Sequence, residues 1–353
     1  GQEMVAAGVS LVGGCCGTGP EHIRALTDQL AGQRPGGRPA RVAPPVHSVA
    51  APPSAVRPHS FLANWGRRPI ITVELDPPKV LDISKTLERA RILTEAGVDA
   101  INLAENPLAR IRMGNLALAS RIQDETATQV IVHVTGRDRN LIGLHSDLMG
   151  AHLLGIRNIL AVTGDPVAVS GETGASNVFD VNSIGLLKLL DALNQGRTTY
   201  GAELGGRTSF LLGAAFNPNV VDLGGQLRKL EKKVAAGAQF IQTQPVYDAA
   251  NMVRLMRETA SLQRPVLLGV MPLVSERNAE FLHNEVPGIH LPEGVRNRMR
   301  GKSGAAGIEE GMTIARELIE AGLAAGLGGY YLIPPFGRVE LAVELIKMIR
   351  RGG

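Results

Sequence analysis

The carboxyl group of Glu74 is the side chain of this sequence with the clearest capacity for chemistry. It lies in the aliphatic run 70–75, which predicts a short buried strand, and Pro77 and Pro78 prevent that strand from continuing. A carboxylate at the end of a buried strand is costly unless it has a partner or a chemical role. We therefore expect Glu74 on the floor of an active site. A structural carboxylate paired with an arginine is the alternative.

Most of the residues at the ends of the later predicted strands have polar side chains. The set holds one histidine and no serine or cysteine nucleophile beside a base, so it predicts neither a metal centre nor covalent catalysis. It suits the binding of a flat heterocycle rich in hydrogen-bonding groups, with a carboxyl group available for proton transfer. The positions are Glu105, Asn106, His133, Thr135, Thr163, Gly164, Asp165, Phe216, Asn217, Thr243, Gln244, Tyr247, Met271 and Arg338.

Several of these residues also have structural interpretations. His133 fits a hydrogen-bonded core histidine, and Asp165, between Gly164 and Pro166, is typical of a turn. Lys233 lies in a predicted helix, where lysines usually face solvent. Gln244 is harder to explain structurally, because a neutral amide at a strand end suits recognition of a ring edge.

The elements that position these residues alternate between strand and amphipathic helix from residue 69 onward. Eight such units over about 280 residues predict a closed (β/α)₈ TIM barrel, in which the carboxyl ends of all strands share one face. An open doubly wound sheet is the competitor, but residues 76–79 lack its glycine-rich fingerprint. The strands are predicted at 70–75, 98–103, 129–134, 156–162, 209–215, 239–243, 265–270 and 327–333, and an irregular stretch is expected between helices 276–284 and 308–321.

Two further segments precede the predicted barrel of residues 69–353. Residues 31–68 are rich in proline, glycine and arginine without apolar periodicity, which predicts an extended linker. Residues 1–30 form a short N-terminal stub with a helix, a strand-like stretch at 9–12 and a second helix from residue 20. So few elements cannot bury a core of their own.

Composition excludes several classes of protein. The net charge is +4, but removing the six arginines between residues 29 and 69 turns it into −2, so no basic face for nucleic acid is expected. No run of about 18 uncharged apolar residues suggests a membrane span, and no secretory signal opens the chain. The two cysteines are adjacent and do not predict a disulfide, so a cytoplasmic protein is expected.

Taken together, the motifs resemble those of the methylenetetrahydrofolate reductase family. The resemblance covers residues 69–350, and each motif stands at a predicted strand end or helix in the family's order. The matching segments are 73–78 (VELDPP), 133–135 (HVT), 163–166 (TGDP), 214–218 (AAFNP), 233–238 (KVAAGA) and 243–244 (TQ) before Asp248.

The resemblance implies FAD as cofactor and reduction of 5,10-methylenetetrahydrofolate to 5-methyltetrahydrofolate, a step that feeds methionine synthesis. It assigns Glu74 as the acid that helps to open the imidazolidine ring, and Asp165 as a group near flavin N1 and the C2 carbonyl. A folate- or partner-binding barrel without catalysis is the alternative. The implied flavin ligands are His133, Thr135, Thr163, Gly164, Asp165, Phe216 and Lys233, and the implied folate ligands are Gln244 and Arg338.

Three places depart from the family pattern. Residues 104–106 (AEN) replace a segment that bears a hydroxyl group and an aromatic ring. Thr163 replaces an arginine, and Arg277 stands where many members carry an aromatic that stacks on nicotinamide or folate. The electron donor is therefore open between NADH or NADPH and a ferredoxin or partner flavoprotein. The sequence also leaves a homo-oligomer open.

A second resemblance concerns residues 13–18 (GGCCGT) with 20–23 (PEHI), which are similar to the last zinc-ligand loop of the homocysteine S-methyltransferase family. That family binds zinc with the adjacent cysteine pair and one earlier cysteine. The earlier cysteine is missing, so Cys15 and Cys16 are expected to be a partial ligand pair without metal. We expect residues 1–30 to be the remnant of a methyltransferase fused to a reductase, in a fragment or a truncated gene product.

Overall fold

The computed structural model describes residues 1–36 and 60–352, and the chain divides into two compact units, 1–56 and 57–353. The first unit contains helices α1 (Gln2–Ala6) and α2 (Pro20–Leu30). Residues 9–12 form no strand, so that prediction is wrong. A lone strand needs a neighbour to satisfy its backbone groups, and residues 1–36 supply none.

The second unit is a closed barrel of eight parallel strands in chain order, which confirms the predicted fold. Strand β1 pairs with β2 on one side and with β8 on the other, with Ile70 opposite Gly329. The carboxyl ends of all eight strands therefore meet at one face. The strands are β1 Ile70–Glu74, β2 Ala100–Leu103, β3 Gln129–Thr135, β4 Asn158–Val162, β5 Leu211–Phe216, β6 Phe240–Pro245, β7 Val266–Val270 and β8 Gly329–Leu332.

Helices cover the outside of the barrel, and one of them was not predicted. Helix α10 lies in the stretch expected to be irregular, because its seven residues are too few to show apolar periodicity. No helix in the described ranges has the length and apolar character to cross a membrane. The helices are α3 Ser84–Glu95, α4 Asn115–Thr126, α5 Leu141–Leu153, α6 Ser183–Asn194, α7 Leu223–Ala235, α8 Ala249–Thr259, α9 Glu276–Glu285, α10 Glu293–Met299, α11 Gly304–Ala324 and α12 Val339–Gly352.

The amino-terminal end of the barrel is closed by residues 60–68. Phe61 is buried and packs edge-on against Phe240, with ring centroids 5.2 Å apart. A Cβ added to Gly328 would lie 2.8 Å from the Trp65 ring. These nine residues therefore belong to the barrel rather than to the predicted linker, of which residues 37–59 lie outside the described part. The sequence did not predict this packing, because a few aromatic residues in a proline-rich segment produce no apolar periodicity.

An ion cluster at the same end joins distant parts of the barrel. The Asp99 carboxylate is almost fully buried and accepts hydrogen bonds from Arg68 at 2.6 Å, from Arg350 at 2.8 Å and from the Ile71 amide at 2.8 Å. It thereby joins three parts of the barrel: the segment before β1, strand β1 and helix α12.

Replacing Asp99 by alanine would leave two cations without their common partner. We expect Asp99→Ala to lower the free energy of unfolding by about 3 kcal/mol in urea denaturation. Glu258→Ala, which removes an exposed pair with Arg257, is the control and should change it by less than about 0.5 kcal/mol. Equal effects of the two substitutions would contradict the role given to the cluster.

Candidate active site

A cavity of about 1190 Å³ opens at the carboxyl ends of the strands and brings together nine of the ten predicted site residues. They come from five strands, the loops that follow them and helix α7. They are Glu74, His133, Thr135, Thr163, Gly164, Asp165, Phe216, Lys233 and Gln244.

Arg338 is the predicted site residue that does not line the cavity. Its Nε donates to Glu340 at 3.0 Å, at the start of helix α12. The turn before it has Phe336 at φ +56° and Gly337 at φ +68°, and these two residues line the cavity instead. The reversal of the backbone there directs Arg338 to the helix, which strand-end spacing could not reveal.

The cysteine pair is exposed, with the two sulfur atoms 3.7 Å apart. Within residues 1–36 and 60–352 no three side chains of the metal-binding types cluster together.

Glu74 lies on the floor of the cavity, and its environment favours the neutral acid. Burial raises its pKa to about 8, and the nearby negative charge of Asp76 adds to that shift. The Tyr331 hydroxyl donates a hydrogen bond to Glu74 Oε2, which opposes the shift only in part. Glu74 is therefore protonated at neutral pH. Tyr331 was not predicted, because it is 257 residues away and reaches Glu74 only through the β1–β8 pairing.

His133 forms part of the cavity wall at β3 and is also neutral at pH 7. Burial lowers its pKa to about 4. Its Nε2 lies 3.2 Å from Asn102 Oδ1, and in the tautomer with a proton on Nε2 it donates to that oxygen. The ring thus supplies shape and hydrogen bonding rather than charge.

Asp165 is held in place by the loop after β2. Its Oδ2 accepts a hydrogen bond from the Leu108 amide at 3.0 Å. Arg137, only 1% exposed, donates to the main-chain oxygens of Asp165 at 3.1 Å and Asn106 at 3.2 Å. Gly164 has φ +90°, and an added Cβ would lie 3.0 Å from Thr135, so a larger residue would be strained there.

Arg137 was not predicted as part of the site. It follows β3 in the charged segment Arg137–Arg139, which has no pattern that separates a buried guanidinium from a solvated one. Its neighbour Arg139 pairs with Glu105, which also accepts from the Thr135 amide at 2.6 Å. Burial raises the pKa of Glu105, while Arg139 opposes that shift. Both arginines therefore fasten the ends of β2 and β3 to each other.

Lys233 reaches the cavity from helix α7 instead of facing solvent. Its Nζ donates to the Ala215 carbonyl at 2.6 Å, and burial lowers its pKa to about 8. Phe216 lies beside it at the end of β5 and is buried. This wall offers one ammonium group and one aromatic ring to a ligand.

Unpartnered buried polar atoms identify where a ligand would bond. Thr135 Oγ1 and both amide atoms of Gln242 are buried, line the cavity and have no hydrogen-bond partner. Such groups cost about 1–3 kcal/mol each when left unpaired. Gln242 was not predicted, because it lies within β6 rather than at its end. Its amide suits a heterocycle with adjacent donors and acceptors.

These features define a (β/α)₈-barrel protein with a large ligand cavity that contains a protonated carboxyl group. The chain belongs to the methylenetetrahydrofolate reductase family, whose family model matches residues 62–333. A second family model, homocysteine S-methyltransferase, matches residues 1–30. Both resemblances predicted from the motifs are confirmed.

Relatives of known name support the same assignment. Methylenetetrahydrofolate reductase 1 of Schizosaccharomyces pombe is 28% identical over 221 residues, which are 57% of this chain and 33% of that protein. Methylenetetrahydrofolate reductase (NADH) 1 of Arabidopsis thaliana is 26% identical over 230 residues, which are 61% and 38%. The chain thus spans about a third of the length of these relatives.

A solved structure of low sequence identity shares the fold. It is an uncharacterized protein from Clostridium thermocellum described as binding two copies of 5-methyl-5,6,7,8-tetrahydrofolic acid. It matches with a TM-score of 0.58 and 15% identity over 83% of this chain and 98% of its own. At this identity the likeness shows the barrel fold alone.

The raised pKa of Glu74 predicts a pH-dependent stability. Between pH 4.5 and about 8 the folded state keeps a proton that the unfolded state releases, so stability falls as pH rises through that window. Glu74→Gln lacks this proton, so the stability of wild type relative to the variant should fall by on the order of 3 kcal/mol from pH 5 to pH 8. Urea denaturation at several pH values measures it, and a parallel pH dependence of both proteins would contradict a buried acid.

Proposed function

We propose that this chain catalyses the FAD-dependent reduction of 5,10-methylenetetrahydrofolate to 5-methyltetrahydrofolate. Members of the family are in general flavin- and NAD(P)H-linked oxidoreductases. The observation that carries the proposal is the protonated Glu74 in the same cavity as Asp165 and Gln244. Opening of the folate imidazolidine ring needs a proton donor at neutral pH, and an ordinary carboxylate with a pKa near 4.5 is not one.

The cavity suits a flavin together with a folate. Its volume of about 1190 Å³ exceeds the roughly 300–1000 Å³ that is common for a single ligand. The unpartnered hydroxyl of Thr135 and the ammonium of Lys233 are available to a ring carbonyl or a phosphate. The residues proposed to hold FAD are His133, Thr135, Thr163, Gly164, Asp165, Phe216 and Lys233.

Bound FAD, once reduced, would supply the hydride. Glu74 would donate its proton to the departing nitrogen of the folate, and the Tyr331 hydroxyl would stabilise the resulting carboxylate through the hydrogen bond that it already makes. The opened ring exposes an iminium carbon, which accepts the hydride. Gln244 would hold the pterin edge so that this carbon faces the cofactor.

Asp165 would adjust the cofactor electrostatically. A carboxylate near flavin N1 disfavours negative charge on the reduced ring and so favours passing electrons to the substrate. The main-chain contacts of Arg137 with Asp165 and Asn106 would keep this carboxylate in position. NADH or NADPH is the proposed source of electrons, with a ferredoxin or partner flavoprotein as the alternative, and the cytoplasm is the proposed location.

A flavin reoxidation experiment tests the proposal. The purified chain should bind FAD and turn yellow, and after reduction by dithionite it should be reoxidised by methylenetetrahydrofolate. Glu74→Gln should slow that reoxidation at least about 100-fold, the effect of losing general acid catalysis, while the flavin spectrum remains. Glu258→Gln on the outer face of α8 is the control. Reoxidation at the wild-type rate in Glu74→Gln would overturn the role of Glu74, and failure to bind FAD would overturn the function.

The unpartnered amide of Gln242 gives a second prediction. Gln242→Leu removes two buried atoms that lack partners, so the free energy of unfolding without ligand should rise by about 1 kcal/mol. The same substitution should weaken ligand binding about tenfold, because the amide would bond to the bound heterocycle. Denaturation and FAD and folate titrations measure the two effects. A stabilised variant with unchanged affinity for both ligands would show that the amide contacts neither.

A further inference from the structure

Asn102 lies inside the barrel beside Glu74, and the chemistry proposed so far gives it no role. It is fully buried on β2, and the strand register places it opposite Glu74 on β1. Ile70 and Ala100 belong to an apolar cluster to which seven strands contribute, so that cluster fills the barrel interior. Alternate residues of a strand face the same side. Glu74 and Asn102 therefore both point into the interior.

The side-chain amide of Asn102 has a partner for its oxygen and none for its nitrogen. Oδ1 lies 3.2 Å from Nε2 of His133 on β3, the strand on one side of β2. Nδ2 is buried and has no hydrogen-bond partner. Because the oxygen and the nitrogen of an amide lie on opposite sides of its carbon, an oxygen turned toward β3 leaves the nitrogen turned toward β1. Glu74 is the register partner of Asn102 on that strand.

The hydrogen bond from Tyr331 reaches one of the two carboxyl oxygens of Glu74. The hydroxyl donates to Oε2, and no side chain or amide in residues 60–352 donates to Oε1. A carboxyl group that loses its proton becomes an acceptor at both oxygens. A buried carboxylate with one donor is costly, so a second donor would stabilise the ionised group much more than the neutral acid.

We propose that Asn102 is a positioning residue of the reaction, whose amide N–H donates to Glu74 once that carboxyl group has given up its proton. This inference rests on the proposed function, because the folate takes the proton. No proton leaves Asn102, whose Nδ2 gains an acceptor that it lacks beforehand. The contact with His133 holds the amide in place in advance. An interaction that forms only as charge develops lowers the barrier instead of merely binding the substrate.

Thr72 is the other polar residue of β1 that is fully buried without a partner for its side chain. It lies two residues before Glu74, and its register partners are Ala100 and Tyr331, so it is one step deeper in the barrel than Asn102. The register therefore favours Asn102 as the donor. Thr72→Val, which removes the hydroxyl and keeps the branched shape, is the matched control.

Other titratable groups of the cavity must be separated from Glu74 in a measurement. Lys233 has a pKa of about 8, in the same range as Glu74, and burial also raises the pKa values of the Asp76 and Glu105 carboxyl groups. The difference between the infrared spectra of each protein and its Glu74→Gln counterpart isolates the carbonyl band of protonated Glu74. The charged or titratable groups from the surrounding elements are Asp76, Glu105, Arg112, His133, Lys233 and Tyr331.

Infrared titration of the full chain without ligands tests the proposal and needs no turnover. The band of protonated Glu74 should disappear with a midpoint near pH 8 in wild type. In Asn102→Leu, which has a similar volume and no donor, the midpoint should rise by about one unit, because the ionised form loses a hydrogen bond. Thr72→Val should keep the midpoint within about 0.3 unit. An unchanged midpoint in Asn102→Leu, or equal shifts in both variants, would overturn the proposal.

NMR of the ¹⁵N-labelled wild-type chain is a second measurement, which does not depend on the folding of an Asn102 variant. The Nδ2 amide proton signal of Asn102 should move downfield with the midpoint of the Glu74 band, because a charge-assisted hydrogen bond forms at that pH. The step should vanish in Glu74→Gln. A signal that stays constant through the wild-type titration would overturn the proposal, even where Asn102→Leu raises the midpoint.

Reoxidation kinetics distinguish this proposal from the proposed function. Asn102→Leu should bind FAD and slow reoxidation by methylenetetrahydrofolate about tenfold at pH 7. The pH above which the rate falls should rise by about one unit, which a merely structural role would not cause. Wild-type reoxidation without the infrared and NMR shifts would overturn the role of Asn102 and leave the function standing. Both shifts without wild-type reoxidation would overturn the function and leave the contact between Asn102 and Glu74 standing.

Discussion

Burial of the Glu74 carboxyl group between the first and the last strand is the constraint on which the site depends. An ionised carboxylate there would lose most of its hydration, so the group keeps its proton and its pKa rises to about 8. Tyr331 donates a hydrogen bond to this group, and it can do so because β8 pairs with β1. Closure of the barrel therefore keeps the Glu74 carboxyl group protonated, and the reductase chemistry proposed for this family member depends on that proton.

The two ends of the barrel differ in their contacts: those at the amino-terminal end stabilise the fold, and those at the carboxyl end suit ligand binding. At the amino-terminal end, Phe61 packs on Phe240, and Asp99 accepts hydrogen bonds from two arginines and a backbone amide. At the other end Thr135 and Gln242 keep buried polar atoms without partners. The free energy that such atoms cost in the empty cavity is recovered when a ligand pairs with them, which makes them useful for binding rather than for folding.

The arginines around the cavity differ between its two sides in whether they have ion-pair partners. On the β3–β5 side, Arg137 and Arg139 are occupied by Asp138, Glu105 and main-chain oxygens, so they hold loops rather than ligands. On the β8–β1–β2 side, Arg89 and Arg110 have no ion-pair partner in the described ranges. Arginines thus hold loops on one side of the cavity, whereas two arginines on the other side have no carboxylate within ion-pair distance in the described ranges.

Local sequence patterns were enough to predict the alternation of eight strands and helices, the strand that ends in Glu74 and nine of the residues that line the cavity. Periodicity and proline positions are local, and a closed barrel brings every strand end to one face. Four features became visible only in the folded chain: the pairing of Tyr331 with Glu74, the contact of Arg137 with Asp165, the closing role of residues 60–68 and the turn of Arg338 toward Glu340. The first three depend on contacts between residues far apart in the chain, for which a single sequence carries no local signal, and the last depends on the left-handed backbone of Phe336 and Gly337.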